Sequence, residues 1–353
     1  MRFRRAKAIL AYWRERRLCF DNYLTRISVA ADQTTLQILS FFDRWRRPDE
    51  LCALFPGYTP ASVRHAVQQL AAHTLLVGEG TPQAKQDAHV AKVWSRWLPE
   101  GSFHFATKDA QYINPEWGLD YLKSILPKTP QPAFFKTYRN VAHVDLPPCE
   151  LPDSEFLRVL ITRRTQREFS SKRLPLAVLS QLLALTWGVT GYRATPLFGN
   201  LPLKTSPSGG ARHPGEVYLV ALRVEGLVPG LYHYHPVHHR LETIRKGAMQ
   251  SRAFRYCAGQ KHAKNAAALF LMTAVFERSM WKYHMGRAYR VVTLDAGHLC
   301  QTLCLVATWL GLAPFCTAAL KDTLIEQDLG IDGIRESVLY VAGVGLPLAS
   351  ERM

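Results

Sequence analysis

The sequence contains no pair of cysteines in a CxxC arrangement, and its seven cysteines are scattered and odd in number. This argues against a zinc ribbon and against a disulfide framework, and it favours a reducing compartment such as the cytoplasm. Long uncharged apolar runs are also missing, since the longest are short stretches such as residues 267–276. We therefore expect a soluble protein without a membrane span.

Acidic residues are few. The 353 residues include 28 Asp and Glu against 44 Lys and Arg, a net charge of +16 that favours an anionic ligand or partner. The first 17 residues hold seven basic residues against one acid. That run fits an Arg-rich targeting helix, a patch for nucleic acid, membrane surface or acidic peptide, or a solvated helix face, but it lacks the apolar segment of a secretory signal.

Residues 35–80 read as three short helices followed by a strand. In the third helix Thr59 suits the N-cap and Pro60 the first helical position, and apolar residues recur at helical spacing. This pattern is typical of a winged helix. DNA binding would need side chains that read base edges on the outward face of this helix. The residues predicted on that face are Ser62, Arg64, His65, Gln68 and Gln69, which are suitable for this but not distinctive. A peptide-docking or purely structural role is the favoured interpretation.

Six prolines between 127 and 152 predict a linker. We divide the chain into an N-terminal domain at 1–90, a connecting segment at 91–150 and a larger domain at 151–353. In the larger domain helices and strands are mixed without strict alternation, which indicates an α+β fold. Its predicted helices span 153–164, 175–187 and 296–310, and its predicted strands include 217–224, 268–276 and 338–345.

Residues 205–216, TSPSGGARHPGE, predict a loop, because Gly209 and Gly210 lose much backbone entropy on ordering and the two prolines cannot donate hydrogen bonds. Adjacent glycines let a backbone approach another group closely. Ser208 and Arg212 are residue types that bind phosphates or electron-rich ring edges. A plain surface turn is the alternative.

A second candidate lies in RRTQREF, where Arg163, Thr165 and Arg167 alternate, so that an extended chain would point them to one side. Two guanidinium groups and a hydroxyl would suit a phosphate, although a basic, solvent-facing helix end is the alternative.

A third candidate is LDAGHLCQTLCLVATWLGL. Here Asp295 is predicted to cap a buried helix whose first turn, 296–298, would offer free N–H groups to an acceptor. A polar and aromatic cluster, SMWKYHMGRAYRVVT, comes just before that helix.

The order of five motifs over residues 150–345 resembles the nitroreductase-type flavoproteins. These motifs are RRTQREF, PSGGARHPGEVYLV, PGLYHY, KYHMGRAYR and DAGHLCQTLCLVATWLGL. Within that group they are most similar to the azoline (thiazoline and oxazoline) dehydrogenases of ribosomal-peptide biosynthesis, the branch that includes the streptolysin-S-type dehydrogenase.

The resemblance implies a dimeric α+β domain that holds FMN at the subunit interface. Arg163, Thr165 and Arg167 should then hold the FMN phosphate and ribityl chain. By the same likeness Ser208, Gly209 and Gly210 should lie against the isoalloxazine ring, Arg212 should face its polar edge, and Asp295, Ala296 and Gly297 should cover it, with a backbone N–H toward N5. Family members often carry Glu at the position of Asp295 and a basic residue after the last strand, for which this chain offers Arg352.

Lys282 and Tyr283 match an adjacent Lys–Tyr pair that is associated with catalysis in these dehydrogenases. Aromatising an azoline removes a proton from one ring carbon and a hydride from the next, so a base is needed opposite the hydride acceptor. Lys282 would be that base. The alternative is a surface lysine beside a tyrosine that packs in the core.

The run HYHPVHH places His233 and His235 on one face of a strand. No acidic residue or cysteine stands beside them in the sequence, and Pro236 suggests a hairpin tip, so we expect no metal site.

These observations lead to an FMN-dependent dehydrogenase that oxidises thiazoline or oxazoline rings of a ribosomally made peptide. The expected partners are a modified precursor peptide, whose leader the N-terminal domain would bind, a cyclodehydratase and a second copy of the chain. One alternative is a general NAD(P)H-dependent nitroreductase or quinone reductase, which does not need the Lys–Tyr pair. Another is a flavin-bound DNA-binding regulator.

Overall fold

A computed structural model describes residues 1–112 and 152–348, with short stretches between them at 120–121, 123–124, 127–128, 131–136, 142 and 144–148. The proline-rich linker predicted at 127–152 falls partly outside the described residues, and Arg352 falls outside them altogether. The proposed domain division therefore stays a prediction.

The basic N-terminus forms strands, so the helix considered for it is wrong. Its elements are β1 (Phe3–Arg5), β2 (Ile9–Arg14), β3 (Arg17–Asn22) and β4 (Ile27–Ala31). Strand β2 pairs with β3 through a tight turn at Glu15, which has φ 55°, and β3 pairs with β4. Aromatic and β-branched side chains between the arginines favour this pleated structure over a helix.

The helices predicted at 35–80 are confirmed, although the second is a 3₁₀ helix. They are α1 (Gln33–Phe41), the 3₁₀ helix (Pro48–Leu54) and α2 (Pro60–Ala72), followed by β5 (Leu76–Gly78), which pairs with β1. Thr59 caps α2 by accepting a hydrogen bond from the Ser62 N–H. Val63, Val67 and Leu70 face a core of their own, and the outward residues of α2 are exposed as predicted.

Helices α3 (Pro82–Val93) and α4 (Leu98–Thr107) pack against the second half of the chain. Trp94 and Trp97 are fully buried there, and their indole N–H groups donate to the carbonyls of Ile334 and Tyr283. They share a hydrophobic cluster with Tyr289 of the second half. The chain just after residue 90 is therefore part of a shared core.

The second half is an α+β unit around a six-stranded sheet, as predicted. Its helices are α5 (Glu155–Thr162), α6 (Leu176–Trp187), α7 (Gln250–Tyr256), α8 (Lys261–Asn265), α9 (Phe276–Met280), α10 (Arg287–Trp309) and α11 (Asp322–Leu329). Its strands are β6 (Gly191–Thr195), β7 (Gly199–Leu203), β8 (Gly215–Ala221), β9 (Gly230–His235), β10 (Arg240–Lys246), β11 (Ala268–Val275), β12 (Ala313–Thr317) and β13 (Glu336–Gly345).

The sheet order is β10-β9-β8-β11-β13-β12, with antiparallel pairing throughout, and β6 and β7 form a separate hairpin. Side chains of β8 and β11 are buried on both faces of the sheet, because one hydrophobic cluster lies under α6 and α10 and another under α7, α8 and α11. This two-sided burial explains why both strands read as continuous apolar runs.

Helix α10 starts at Arg287, so the predicted start after Asp295 is wrong. Asp295 is an interior helical residue, and the N–H groups of 296–298 are not the free donors of a first turn. The aspartate resembled an N-cap because its carboxylate does accept an N–H, but one from a distant loop.

By length and composition alone, α10 is long and apolar enough to cross a membrane, contrary to the expectation from the sequence that no segment would be. About half of its most apolar window, 44%, is buried inside the protein. Leu299, Leu303 and Ala307 lie in the core cluster under the sheet, an arrangement that explains the apolar composition without a membrane.

Candidate functional site

The loop at 205–216 is anchored by a single buried carboxylate. Ser208 Oγ donates to Asp295 Oδ2 at 2.5 Å, and the Gly209 N–H donates to Asp295 Oδ1 at 3.3 Å. Ser208 Oγ in turn accepts from the His213 N–H at 2.9 Å. Burial raises the pKa of Asp295, and the hydrogen bonds from Ser208 and Gly209 oppose that shift. Asp295, which lies in α10, thus holds the loop in its conformation.

The two glycines are needed because parts of the same chain approach them closely. A Cβ on Gly209 would lie 2.3 Å from Val291 Cγ1, and a Cβ on Gly210 would lie 2.2 Å from Tyr283 Oη and 2.9 Å from Lys282 Nζ. Gly210 also has φ 62°, which favours glycine. These contacts account for both glycines without a ligand, so the predicted approach of a flavin ring to them stays a prediction.

Lys282 and Tyr283 lie in the short connection between α9 and α10, and both are half-buried. Lys282 Nζ is 3.5 Å from the Gly210 carbonyl oxygen, and Tyr283 packs on the aromatic cluster around Trp97. The structure thus brings together the glycine loop, the Lys–Tyr pair and Asp295, three of the four features that the sequence suggested for one site.

Arg212 is held between two aromatic rings that the sequence analysis did not connect with it. Its guanidinium carbon lies 5.6 Å from the ring centre of Phe198 and 5.4 Å from that of Trp281, and its Nε donates to the Gly210 carbonyl. Lys282 Nζ also lies 5.0 Å from the Phe198 ring centre. Cation–π attraction orients both side chains. Phe198 comes from the hairpin tip between β6 and β7, which no motif connected to the loop.

Arg163, Thr165 and Arg167 lie apart from this group, in irregular chain after α5. The charge of Arg163 acts on Cys304, which places this arginine near the later part of α10. Cys304 lies nine residues after Asp295, so the two positions are about 14 Å apart along the helix. Within the described residues, the guanidinium groups of Arg163 and Arg167 have no carboxylate or carbonyl partner. The segment therefore carries guanidinium groups that are not neutralised by acidic side chains of the described residues, as expected for a phosphate-binding site.

Ala296 and Gly297 line a cavity of about 330 Å³ between α10, α4 and β13. Gly297 is in the helix interior, yet a Cβ there would meet no atom within 4 Å. Glycine costs about 1 kcal/mol relative to alanine at such a position, and packing inside this chain gives no reason for it. A group approaching from outside would explain the residue.

The histidine-rich hairpin has acidic neighbours that its local sequence did not reveal. His233 Nε2 lies 2.9 Å from Glu216 Oε2 and its Nδ1 lies 3.1 Å from Glu242 Oε2, because strand pairing brings both acids next to this histidine. The hydrogen bond with Glu216 is the main cause that raises the pKa of His233. Among the described residues no group of His, Cys, Asp or Glu has an arrangement able to hold a metal.

Comparisons with known proteins agree on the second half of the chain. The sequence model of the nitroreductase family matches residues 160–346. A Methanocaldococcus jannaschii protein that carries the name putative nitroreductase is 33% identical over 199 residues, which cover 56% of this chain and 94% of that protein.

Two further relatives are named as the processing proteins of trifolitoxin and of microcin B17. The trifolitoxin-processing protein TfxB of Rhizobium leguminosarum bv. trifolii is 36% identical over 140 residues, 38% of each chain. The microcin B17-processing protein McbC of Escherichia coli is 30% identical over 132 residues, 36% of this chain and 48% of McbC. The chain therefore spans less than half the length of TfxB and of McbC, and the activity of those whole proteins is not assigned to it by the match. The chain belongs to the nitroreductase family, a family of oxidoreductases that generally bind flavin.

Proposed function

We propose that the protein is an FMN-dependent dehydrogenase that oxidises thiazoline or oxazoline rings in a ribosomally made peptide to thiazole or oxazole. The observation that carries this proposal is the meeting of Lys282 and Tyr283 with Gly210, at the foot of the loop that Asp295 anchors. A reductase of nitro compounds or quinones needs no such pair. The names of TfxB and McbC support a role in peptide processing.

The residues of this chain fit a flavin mononucleotide on two grounds. Arg163 and Arg167, without anionic partners in the described chain, would hold the phosphate, and Thr165 would add a hydroxyl donor. Gly297, open toward its cavity, would let a planar ring approach α10. When bound, FMN would supply the acceptor for the hydride that leaves the azoline ring.

The side chains near the glycine loop would provide the rest of the chemistry. Lys282 would take the ring proton, since its Nζ is held at the loop but forms no ion pair with a described residue. Tyr283 would orient Lys282 or the substrate through its hydroxyl. Phe198 and Trp281 would keep Arg212 in place and limit the access of water to the proton-transfer site.

The N-terminal part would bind the leader of the precursor peptide. An apolar groove of about 260 Å³ lies between α1, the 3₁₀ helix and α2, and its lining includes Leu51, Phe55 and Tyr58. The arginines at the β2–β3 turn would favour an acidic leader. We further propose a cytoplasmic homodimer that receives its substrate from a cyclodehydratase, which makes azolines.

The test is a pair of assays on the purified protein. It should carry FMN and convert an azoline-bearing peptide to a product that has lost two hydrogen atoms per ring, as measured by mass spectrometry. The second candidate, a general nitroreductase, is favoured by the relative from Methanocaldococcus jannaschii. Efficient NADPH-dependent reduction of a nitroaromatic without azoline oxidation would establish that candidate and refute the first.

A further inference from the structure

A groove of about 530 Å³, which the chemistry proposed above does not use, lies between α4 and the first turns of α10. Phe103 belongs to its α4 wall and Arg290 to its α10 wall. Tyr289 and Thr293 line both this groove and the cavity at Gly297. The two spaces therefore adjoin along α10, and the groove leads away from the cavity proposed for the flavin ring.

The walls of the groove are held by direct contacts between the two helices. The Trp97 indole N–H donates to the Tyr283 carbonyl at 3.1 Å, which ties the chain before α4 to the Lys–Tyr connection. A Cβ on Gly286 would overlap the Glu100 carboxylate, so α4 touches the chain where α10 begins. Gly286 lines the groove only three residues after Tyr283. A ligand would thus enter a preformed groove, which lowers the ordering cost of binding.

The groove carries two exposed arginines that are free to bind a ligand. Arg287 and Arg290 are three residues apart on α10 and therefore lie on one face of the helix. Within the described residues neither guanidinium has a hydrogen-bond or carboxylate partner. Glu100 is the one acid among the lining residues, so the lining carries a net positive charge. Phe103, which is 63% exposed, adds an apolar surface beside the arginines.

We propose that this groove binds the stretch of the precursor peptide that flanks the azoline ring, and that Arg287 and Arg290 select an acidic side chain there. The role rests on the function proposed above, because a ring inside a peptide requires that the flanking chain run out of the site over the protein surface. The groove has the volume of a typical ligand site and adjoins the cavity at Gly297. The planar fork of arginine matches a carboxylate, which favours aspartate or glutamate over neutral side chains.

The first experiment measures the selection by charge. Two fluorescein-labelled peptides contain one thiazole, the stable product ring, and carry either aspartate or asparagine at the second position on each side of it. The FMN-loaded wild type should bind the aspartate peptide at least about 3-fold more tightly in fluorescence anisotropy, and the preference should shrink in about 0.5 M sodium chloride. The double variant Arg287→Gln, Arg290→Gln should bind both peptides equally.

The matched control is Arg16→Gln, Arg17→Gln, which removes the same charge from an exposed pair at the β2–β3 turn and should keep the preference. Circular dichroism checks that both double variants are folded. Wild type that binds neither peptide or binds both equally would overturn the proposal, as would a preference that survives the loss of Arg287 and Arg290. If azoline oxidation by the same protein is intact, the groove assignment fails alone. If that oxidation is absent as well, the proposed function fails with it.

The second experiment locates the peptide. A benzophenone amino acid in place of Phe103 should crosslink to the aspartate peptide on irradiation. The same residue in place of Phe156, which is 70% exposed on α5, should not. Crosslinking of Phe103 to a second copy of the chain, with no peptide captured, would show that the groove is covered by a subunit and would refute peptide binding there.

Discussion

The glycine loop at 205–216 and the arginine segment at 163–167 carry similar residue types but are held in opposite ways. In the loop, Ser208 and Gly209 are bonded to Asp295, and Arg212 lies between two aromatic rings. In the segment, the guanidinium groups of Arg163 and Arg167 have no carboxylate partner within the described residues. The loop is thus a preorganised framework, whereas the segment has charges left for a ligand. Motifs that look alike in a sequence can therefore have different functions.

The largest effect is expected for Lys282→Ala, which removes the proposed base that lies against the glycine loop. We predict at least about a 100-fold loss of azole formation, a typical general-base contribution, with bound FMN unchanged. Tyr283→Phe should lose less, because the ring still packs. Activity is measured with an azoline peptide, and the exposed Lys246→Ala serves as the control. Full azoline oxidation by Lys282→Ala would show that another group removes the proton.

Arg163→Ala tests the segment. Loss of a charge-assisted contact should weaken FMN retention by about 1–3 kcal/mol, which fluorescence titration of the apoprotein with FMN measures. Arg164→Ala is the matched control, because its guanidinium donates to the carbonyls of Ile161 and Arg163. If both variants lose affinity equally, the effect is one of general charge, and the comparison between loop and segment no longer holds.

Asp295→Ala should destabilise the framework, because it leaves the Ser208 hydroxyl and the Gly209 N–H without their acceptor. We expect the free energy of unfolding to fall by about 1–3 kcal/mol in urea denaturation. Asp153→Asn, at an exposed site, should change it by less than about 0.5 kcal/mol. A loss no larger than that of the control would mean that the carboxylate does not hold the loop.

The same residue predicts a pH dependence. Burial raises the pKa of Asp295, so the folded state holds this proton more tightly than the unfolded state. The contribution of this raised pKa to the unfolding free energy is fully present below the ordinary aspartate pKa of about 4. It is lost as the pH rises through the higher pKa that Asp295 has in the folded state. Relative to Asp295→Asn, the unfolding free energy of wild type should therefore decline with increasing pH. A constant difference between pH 4 and pH 8 would contradict the assignment.

The smallest effects separate the two kinds of glycine. Gly297→Ala should stabilise the apoprotein by up to about 1 kcal/mol, because the helix gains a better former, and should weaken FMN binding. Gly210→Ala should instead destabilise it by about 1 kcal/mol or more, since φ is positive and Tyr283 fills the space. Thermal unfolding of both apoproteins, compared with wild type, measures these changes. Destabilisation by Gly297→Ala would remove the argument for an open approach to α10.

Much of the fold followed from local pattern. Thr59 and Pro60 at the start of α2, Pro175 before α6 and the apolar run of β11 were read correctly, because caps and burial patterns are set by neighbouring residues. The ordered motifs of 150–345 likewise led to the nitroreductase family, which the family match confirms.

Only the tertiary structure decided how the site is assembled. The sequence by itself determined the α+β class, the glycine loop and the Lys–Tyr pair, since each depends on residues close together in the chain. It misplaced Asp295 as a helix cap and did not connect Phe198 and Trp281 with Arg212. Each of these relationships joins residues far apart in sequence, and no local periodicity records which distant group will satisfy a buried carboxylate or pack on a guanidinium.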